Sequence, residues 1–426
     1  MSNWQQYGAA PQPGTHNQRV FENKTPYSPE ALRPYPSGYG IVTVSGPDGG
    51  PPSLGIVAPV RKPIGRIILA IILGLGVIAA LVVLILMLSF GAVAQATLFA
   101  LIPLTAVVAT LFWLDRWEPE PLWLLLMALA WGAGVSVLVA LVLNTGLGAW
   151  LSQATSSDPN LVIPVVIAPV VEEGIKGLGL LLIFLFWRRY FDGPIDGIVL
   201  GGLIAAGFAF TENILYFAQY IAPLGTAGVT QVFVARAIMS PFAHLIFTAA
   251  MGMALGWAAR SRSKYTWIAT FPMGYLVAVG LHALWNWSAS SGIGLFIGMY
   301  MLVQIPLFIF LIVMVIMMRN NEKRIIKDRL TEYGQAGWFI PAEVAMLSNM
   351  GGRRDARAWA RRVGGEGGKT AMDKFQRAAT TLAFQRQRLV IGRAHLAADA
   401  SEQELLDSLQ ASRNEMAGVL STAQRG

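Results

Sequence analysis

Glu172, Glu173, Glu212, His244 and His282 all lie inside long apolar runs of this 426-residue chain. A charged side chain at bilayer depth costs about 2.5–3.5 kcal/mol or more, so a chain that keeps several of them uses them. Glu172 and Lys176 are four residues apart, and Glu173 and Lys176 three, the two spacings that bring side chains together on a helix. Lys176 is therefore expected to pair with one carboxylate and to help hold the other ionised. Phe208 and Glu212 share a helix face, with Asn213 next to it, and His282 and Asn286 share another. A carboxylate, two imidazoles and an amide can activate water and stabilise an oxyanion. The same groups make a Glu/His metal site, or the proton relay or ion site of a transporter or channel.

The elements that must position these residues are membrane spans. Of all residues 54% are hydrophobic and only 13% charged, the composition of a polytopic membrane protein. There is no cysteine, which excludes disulfides and thiolate metal sites. About sixty mostly polar residues precede the first apolar run, unlike a secretory signal. Apolar runs near 66–88, 93–114, 122–146, 161–187, 231–258, 266–288 and 293–318, with a further one opened by the turn 192–197 and running to about 220, predict an all-α bundle of about eight transmembrane helices. The ends near 64, 116, 188, 262 and 319 carry Arg or Lys, and those near 90, 155, 225 and 290 carry almost none. The positive-inside rule then puts both termini in the cytoplasm of a multi-pass plasma (inner) membrane protein. The net charge of +8 lies mainly outside the spans, the usual result of basic flanks, and implies no nucleic-acid partner.

Counted from the non-cytoplasmic ends at 1.5 Å per residue, Glu172, Glu212, His244 and His282 fall within about 9 Å of one another along the membrane normal. They are expected to line one cavity. Each also has a purely structural reading: an ion-pair cluster for Glu172, Glu173 and Lys176, and helix–helix hydrogen bonds for Asn213, Asn286, Thr211 and Ser240. Arg236 reads as a snorkelling side chain, and Asp192 and Asp196 as turn and capping residues.

Three domains are expected. Residues 1–62, rich in Pro, Gly, Ser and Tyr, read as a disordered cytoplasmic tail. Residues 63–318 hold the spans, and 319–426 form a cytoplasmic helical region. In that region Pro341–Asn349 and Arg353–Val363 are short helices separated by Gly-Gly pairs. Ala371–Ala398 is a longer helix, and Ser401-Glu402-Gln403-Glu404 opens the last one.

Six motifs in order, each in a span or at its edge, resemble the PrsW intramembrane proteases, a bacterial group related to the CaaX prenyl endopeptidase and bacteriocin-processing superfamily. They are Asp115-Arg116-Trp117-Glu118-Pro119-Glu120-Pro121, Glu172-Glu173-Gly174-Ile175-Lys176, Asp192-Gly193-Pro194-Ile195-Asp196-Gly197, Gly207-Phe208-Ala209-Phe210-Thr211-Glu212-Asn213, His244-Leu245-Ile246-Phe247-Thr248 and His282-Ala283-Leu284-Trp285-Asn286. The resemblance covers about 95–318. It implies an intramembrane endopeptidase that cleaves a membrane-embedded or membrane-proximal peptide, with anti-sigma-factor-like substrates as the precedent. On this reading Glu172 is the general base, and Glu173 and Lys176 tune it. Glu212, His244 and His282 bind a divalent metal, zinc, or position the water directly. Asn286, with His282, stabilises the oxyanion. PrsW-type sequences often have Asp where Asn286 stands, and an amide is a poor zinc ligand but a good oxyanion donor. The competing reading is a proton- or ion-coupled transporter or channel using the same Glu and His residues; the third is a peptide-binding scaffold.

Overall fold

The computed structural model describes residues 42–44, 53–55, 64–154, 158–191, 193–261, 263–391 and 402–423. Apart from two three-residue strands, the expected tail over 1–62 lies outside the described residues. Those strands, β1 (Val42–Val44) and β2 (Ser53–Gly55), pair antiparallel with Thr43 opposite Leu54. Every other regular element among the described residues is a helix, so the fold is all-α. The chain divides into two compact units, one of Pro63–Asn320 and another that holds Asn321–Gly426.

The first unit is a membrane-type bundle. Its helices are α1 (Ile64–Leu88), α2 (Phe90–Leu114), α3 (Leu122–Ala130), α4 (Val137–Ala154), α5 (Pro159–Val162), α6 (Ala168–Phe186), α7 (Pro194–Phe233), α8 (Ala243–Arg260), α9 (Thr266–Ser290), α10 (Ile293–Met299) and α11 (Ile305–Gln335). Among the described residues, seven segments are long and apolar enough to cross a membrane: Gly65–Leu88, Phe90–Leu114, Leu122–Leu151, Pro194–Ile221, Thr230–Arg260, Thr266–Ser290 and Ile293–Gln335. The count is one short of the eight spans expected. The missing one is α6, which is helical but carries Glu172, Glu173 and Lys176 within 19 residues. Its charge, not its length, sets it apart from the other spans.

The bundle centre is built from α7 and α8, with α2, α6 and α9 packed around them. Helix approach there depends on missing side chains. Gly197 of α7 and Gly252 of α8 face each other so closely that a Cβ on either would overlap the other's carbonyl oxygen. Small residues that admit close backbone contact are the usual device where lipid provides no hydrophobic drive for association.

Two spans differ from simple rods. Although α7 is helical to Phe233, the rings of Phe217 and Phe233 lie 6.1 Å apart. Sixteen residues of straight helix would separate them by about 24 Å, so the chain folds back between them. The next span is then broken in mid-course: a wide helical turn over Val234–Met239 ends at Ser240, and α8 starts afresh at Ala243. Pro241, which cannot donate a backbone hydrogen bond, lies in the break. Similar wide turns over Trp131–Ser136, Ile163–Ile167 and Tyr300–Gln304 join α3 to α4, α5 to α6 and α10 to α11.

The basic span ends gather at one end of the bundle. Arg66 stacks on Trp123 at 4.6 Å, Arg319 on Trp113 at 3.8 Å, and Trp123 meets Trp187 at 5.8 Å. At the α7 start, Gly193 N donates to Asp196 Oδ2 at 2.8 Å, the capping role expected for Asp196; Asp192 lies outside the described residues. In the turn after α2, Asp115 accepts from Glu120 N at 3.0 Å. Burial raises its carboxyl to about 7, against the lowering effect of that hydrogen bond.

The second unit holds the end of α11 with α12 (Pro341–Leu347), α13 (Met350–Val390) and α14 (Glu402–Ala423). The expected short and long helices merge into α13, interrupted by non-helical backbone at Gly364 and Gly365. Gly365, at φ 60° and ψ −152°, occupies a region open only to glycine. Arg413 ties α14 to the rest, donating to Trp338 O at 2.6 Å and Glu343 Oε2 at 2.9 Å.

Two predictions follow from packing and burial. Gly252→Val should lower the detergent unfolding midpoint, with a loss of at least about 1–3 kcal/mol from forced separation of α7 and α8. Asp115 lies outside the spans and its native pKa is raised from 3.8 to about 7. Between those values the native state holds a proton that the unfolded chain has released, so stability is highest below the lower value and falls as pH rises through the window. Asp115→Asn should remove that part of the pH slope, measured as thermal midpoint against pH.

Candidate functional site

α6 carries Glu172, Glu173 and Lys176 into the bundle, and its wide N-terminal turn brings Pro164 within reach of α9. Glu173 and Lys176 are both fully buried. Lys176 Nζ sits 2.5 Å from Glu173 Oε1 and 4.4 Å from the centre of the Phe208 ring. The same Glu173 oxygen lies 3.0 Å from His282 Nδ1, while Glu173 Oε2 accepts from Thr248 Oγ1 at 2.9 Å. Glu173 thus has donors on both oxygens.

A second, parallel arrangement stands beside it. Glu212 Oε2 lies 2.9 Å from His244 Nε2 and pairs with the Arg236 guanidinium. Arg236 Nε also donates to Asn213 Oδ1 at 2.6 Å, and its guanidinium stacks over Tyr216 at 3.9 Å. His244 Nδ1 is 3.4 Å from Lys176 Nζ. The two imidazoles meet edge to face, with ring centres 5.2 Å apart, and Phe247 stacks on His282 at 5.0 Å.

Hydrogen-bond logic assigns the tautomers. An ionised carboxylate can only accept, so His282 donates from Nδ1 to Glu173 and His244 donates from Nε2 to Glu212. The acceptor nitrogens left are His282 Nε2 and His244 Nδ1. His282 Nε2 is 3.9 Å from Glu172 Oε2, which is buried and accepts no hydrogen bond. Glu172 Oε1 accepts from Asn144 Nδ2 at 3.3 Å, and Asn144 Oδ1 is itself buried without a partner. Buried acceptors without donors are rare and costly, and Glu172 Oε2 sits beside two imidazoles.

The sequence-derived site residues separate in an instructive way. Glu172, Glu173, Lys176, Glu212, His244 and His282 come together. Glu212, expected to complete a metal set with His244 and His282, instead pairs with Arg236 and accepts from His244. The side chains whose ligand atoms lie within 4.8 Å of one another are Glu172, His244 and His282, the one such trio among the described residues. Asn286, expected as an oxyanion donor, spends its amide on Pro164 O at 2.7 Å. Thr211 and Ser240 likewise bond backbone carbonyls, Ala133 O and Ala235 O. Arg236 does not snorkel; it is bound to Glu212 and Asn213.

Two residues of the cluster carry little signal in the sequence. Asn144 stands alone near the end of the third span, seven residues before Leu151, where an amide is ordinary. Arg236 was visible, eight residues before His244, but nothing in the spacing aims it at Glu212.

Fold and site together define a polytopic α-helical membrane protein with a buried Glu/His cluster at its centre. Over residues 120–312, which include every residue of that cluster, the chain matches the model of the PrsW family intramembrane metalloprotease. It is 32% identical to Protease PrsW of Clostridioides difficile over 158 residues, 36% of this chain and 62% of that protein. It is 30% identical to Protease PrsW of Geobacillus kaustophilus over 140 residues, 32% of this chain and 56% of that one. With the Oceanobacillus iheyensis Protease PrsW it shares 26% over 184 residues, 43% of this chain and 78% of the relative. The chain thus spans about three fifths of the first two relatives. No solved structure gives a significant match.

The ion pair generates a stability prediction. Lys176→Met leaves Glu173 as an uncompensated buried charge and should cost about 3–5 kcal/mol, whereas Lys176→Met with Glu173→Gln should recover much of it. Detergent unfolding of the two variants checks this.

Proposed function

We propose that this chain is an intramembrane endopeptidase that hydrolyses a peptide bond of a membrane protein or membrane-proximal peptide. The observation that carries the reading is the meeting of Glu172 Oε2, a buried oxygen without a hydrogen-bond donor, with His282 and His244 inside an apolar bundle. The protease family match over the same residues supports hydrolysis over the transporter reading.

Glu172 takes a proton from water at Oε2 as the water oxygen bonds to the scissile carbonyl carbon. Asn144 holds the other Glu172 oxygen, so the carboxylate presents one free atom to the reaction. Collapse of the tetrahedral intermediate breaks the C–N bond, and the proton held by Glu172 passes to the departing amine. His282 Nε2, 3.9 Å from Oε2, is placed to share that transfer. Glu173 and Lys176 do not touch the reacting atoms; they hold His282 and His244 in place.

The donor set also fits a metal. Glu172, His244 and His282 offer a carboxylate oxygen and two imidazole nitrogens, a usual three-ligand set for catalytic zinc. Three carboxylates against the cations of Lys176 and Arg236 leave one negative charge to meet a dication. When bound, zinc would polarise the carbonyl and acidify water. Glu172 Oε2 belongs to both arrangements, as proton acceptor and as third donor, and chelation separates them: full activity after stringent metal removal overturns the zinc version. We place the protein in the plasma membrane with the Arg-rich span ends and both termini in the cytoplasm, on the charge asymmetry of the loops.

A panel of single-span reporter proteins in proteoliposomes tests the reading. Glu172→Gln and His282→Ala should each lower cleavage by about 10²-fold or more, with the unfolding midpoint of Glu172→Gln near that of the unaltered protein and the His282→Ala loss exceeding its fraction unfolded. Unchanged cleavage in either variant would overturn the assignment.

A further inference from the structure

We propose that Arg236 is a positioning residue of this site: acting through Glu212, it fixes the His244 ring so that Nε2 is the protonated nitrogen and Nδ1 the acceptor. The proposal rests on the hydrolytic reading above.

Four observations converge on it. First, an arginine inside a span is costly, and this one is held on three sides, by Glu212, by Asn213 at 2.6 Å and by the Tyr216 ring at 3.9 Å. All three partners lie on α7. Second, Arg236 and His244 meet at one atom, Glu212 Oε2. Both are donors to it, so the carboxylate is fixed from one side and fixes the imidazole on the other.

Third, the chain is distorted where this contact requires it. Arg236 and His244 are eight residues apart, about 12 Å in a continuous helix. The wide turn over Val234–Met239 and the break at Ser240–Phe242 shorten that path, and Tyr300 Oη donates to the Met239 carbonyl at 2.9 Å, satisfying part of the interrupted backbone. A mid-membrane break persists only where other groups satisfy it, and here its result is that both side chains reach Glu212.

Fourth, the arrangement duplicates the one on the other histidine. Lys176, Glu173 and His282 form a cation–carboxylate–imidazole series through Glu173 Oε1. Arg236, Glu212 and His244 form the same series through Glu212 Oε2. Carboxylates that orient an imidazole by accepting from its far nitrogen are known to tune what the near nitrogen can bind. The fork of arginine also reaches Glu212 and Asn213 at once, which a lysine ammonium cannot do with the same geometry.

The test uses the full-length chain in detergent for zinc(II) affinity, by competition with a chromophoric chelator, and in proteoliposomes for reporter cleavage. The variants are Arg236→Gln, Arg236→Lys, Glu212→Gln and the double Arg236→Gln/Glu212→Gln, each with its unfolding midpoint. Arg236→Gln should weaken zinc by about 10–100-fold and lower kcat with KM unchanged, and Arg236→Lys should fall between it and the unaltered protein. Because Arg236 acts through Glu212, the double variant should be no worse than Glu212→Gln alone. Unaltered affinity and kcat in Arg236→Gln overturns the proposal. So does a double variant whose loss is the product of the two single losses, or losses that merely follow the fraction unfolded; Arg236 is then a strut of the bundle. If the unaltered protein cleaves but binds no zinc, kcat alone decides by the same comparisons. If the unaltered protein does neither, the hydrolytic reading fails and this proposal with it, a failure visible before any variant is compared.

Discussion

The fully buried ion pair of Lys176 with Glu173 is the interaction on which the rest of the site depends. In a medium of low dielectric an unpaired charge is far more expensive than a paired one, and a pair is tolerable only when its remaining donors and acceptors are also met. Glu173 meets this by accepting from Lys176, His282 and Thr248. Each of these partners comes from a different helix or turn of the bundle. Satisfying one carboxylate therefore joins α6, α8 and α9, and the site is assembled by the same contacts that make its charges affordable.

The consequence for chemistry is a separation of roles among three glutamates that look alike in the sequence. Glu173 and Glu212 are each matched by a cation and each hold one imidazole. Glu172 has no cation bonded to it; it is steadied at one oxygen by Asn144 and left open at the other. The open oxygen lies 3.9 Å from His282 Nε2. Glu173 and Glu212 are thus each held by several donors, whereas Glu172 keeps one oxygen without a hydrogen bond.

The helices that carry these residues are shaped for close approach and for interruption. Gly197 and Gly252 let α7 and α8 touch through their backbones. The wide turns and the break before α8 move polar side chains to positions that a regular 3.6-residue repeat would not reach. This is why depth counted along ideal helices brings Glu172, Glu212, His244 and His282 to one level without revealing that Arg236 pairs with Glu212.

The sequence by itself determined that this is an all-α membrane protein, where most of its spans begin and end, and which buried polar residues are too expensive to be idle. Those properties follow from hydropathy and charge, which act on each segment independently of its neighbours. It also contained the likeness to PrsW proteases, because motif order survives in one dimension. Only the tertiary structure decided which carboxylate oxygen is left without a donor, that Asn286 bonds Pro164, and that Asn144 and Arg236 bond Glu172 and Glu212. Hydrogen-bond partners drawn from separate helices depend on lateral packing and on local breaks in the helix, and neither is written in the spacing of residues along a single chain.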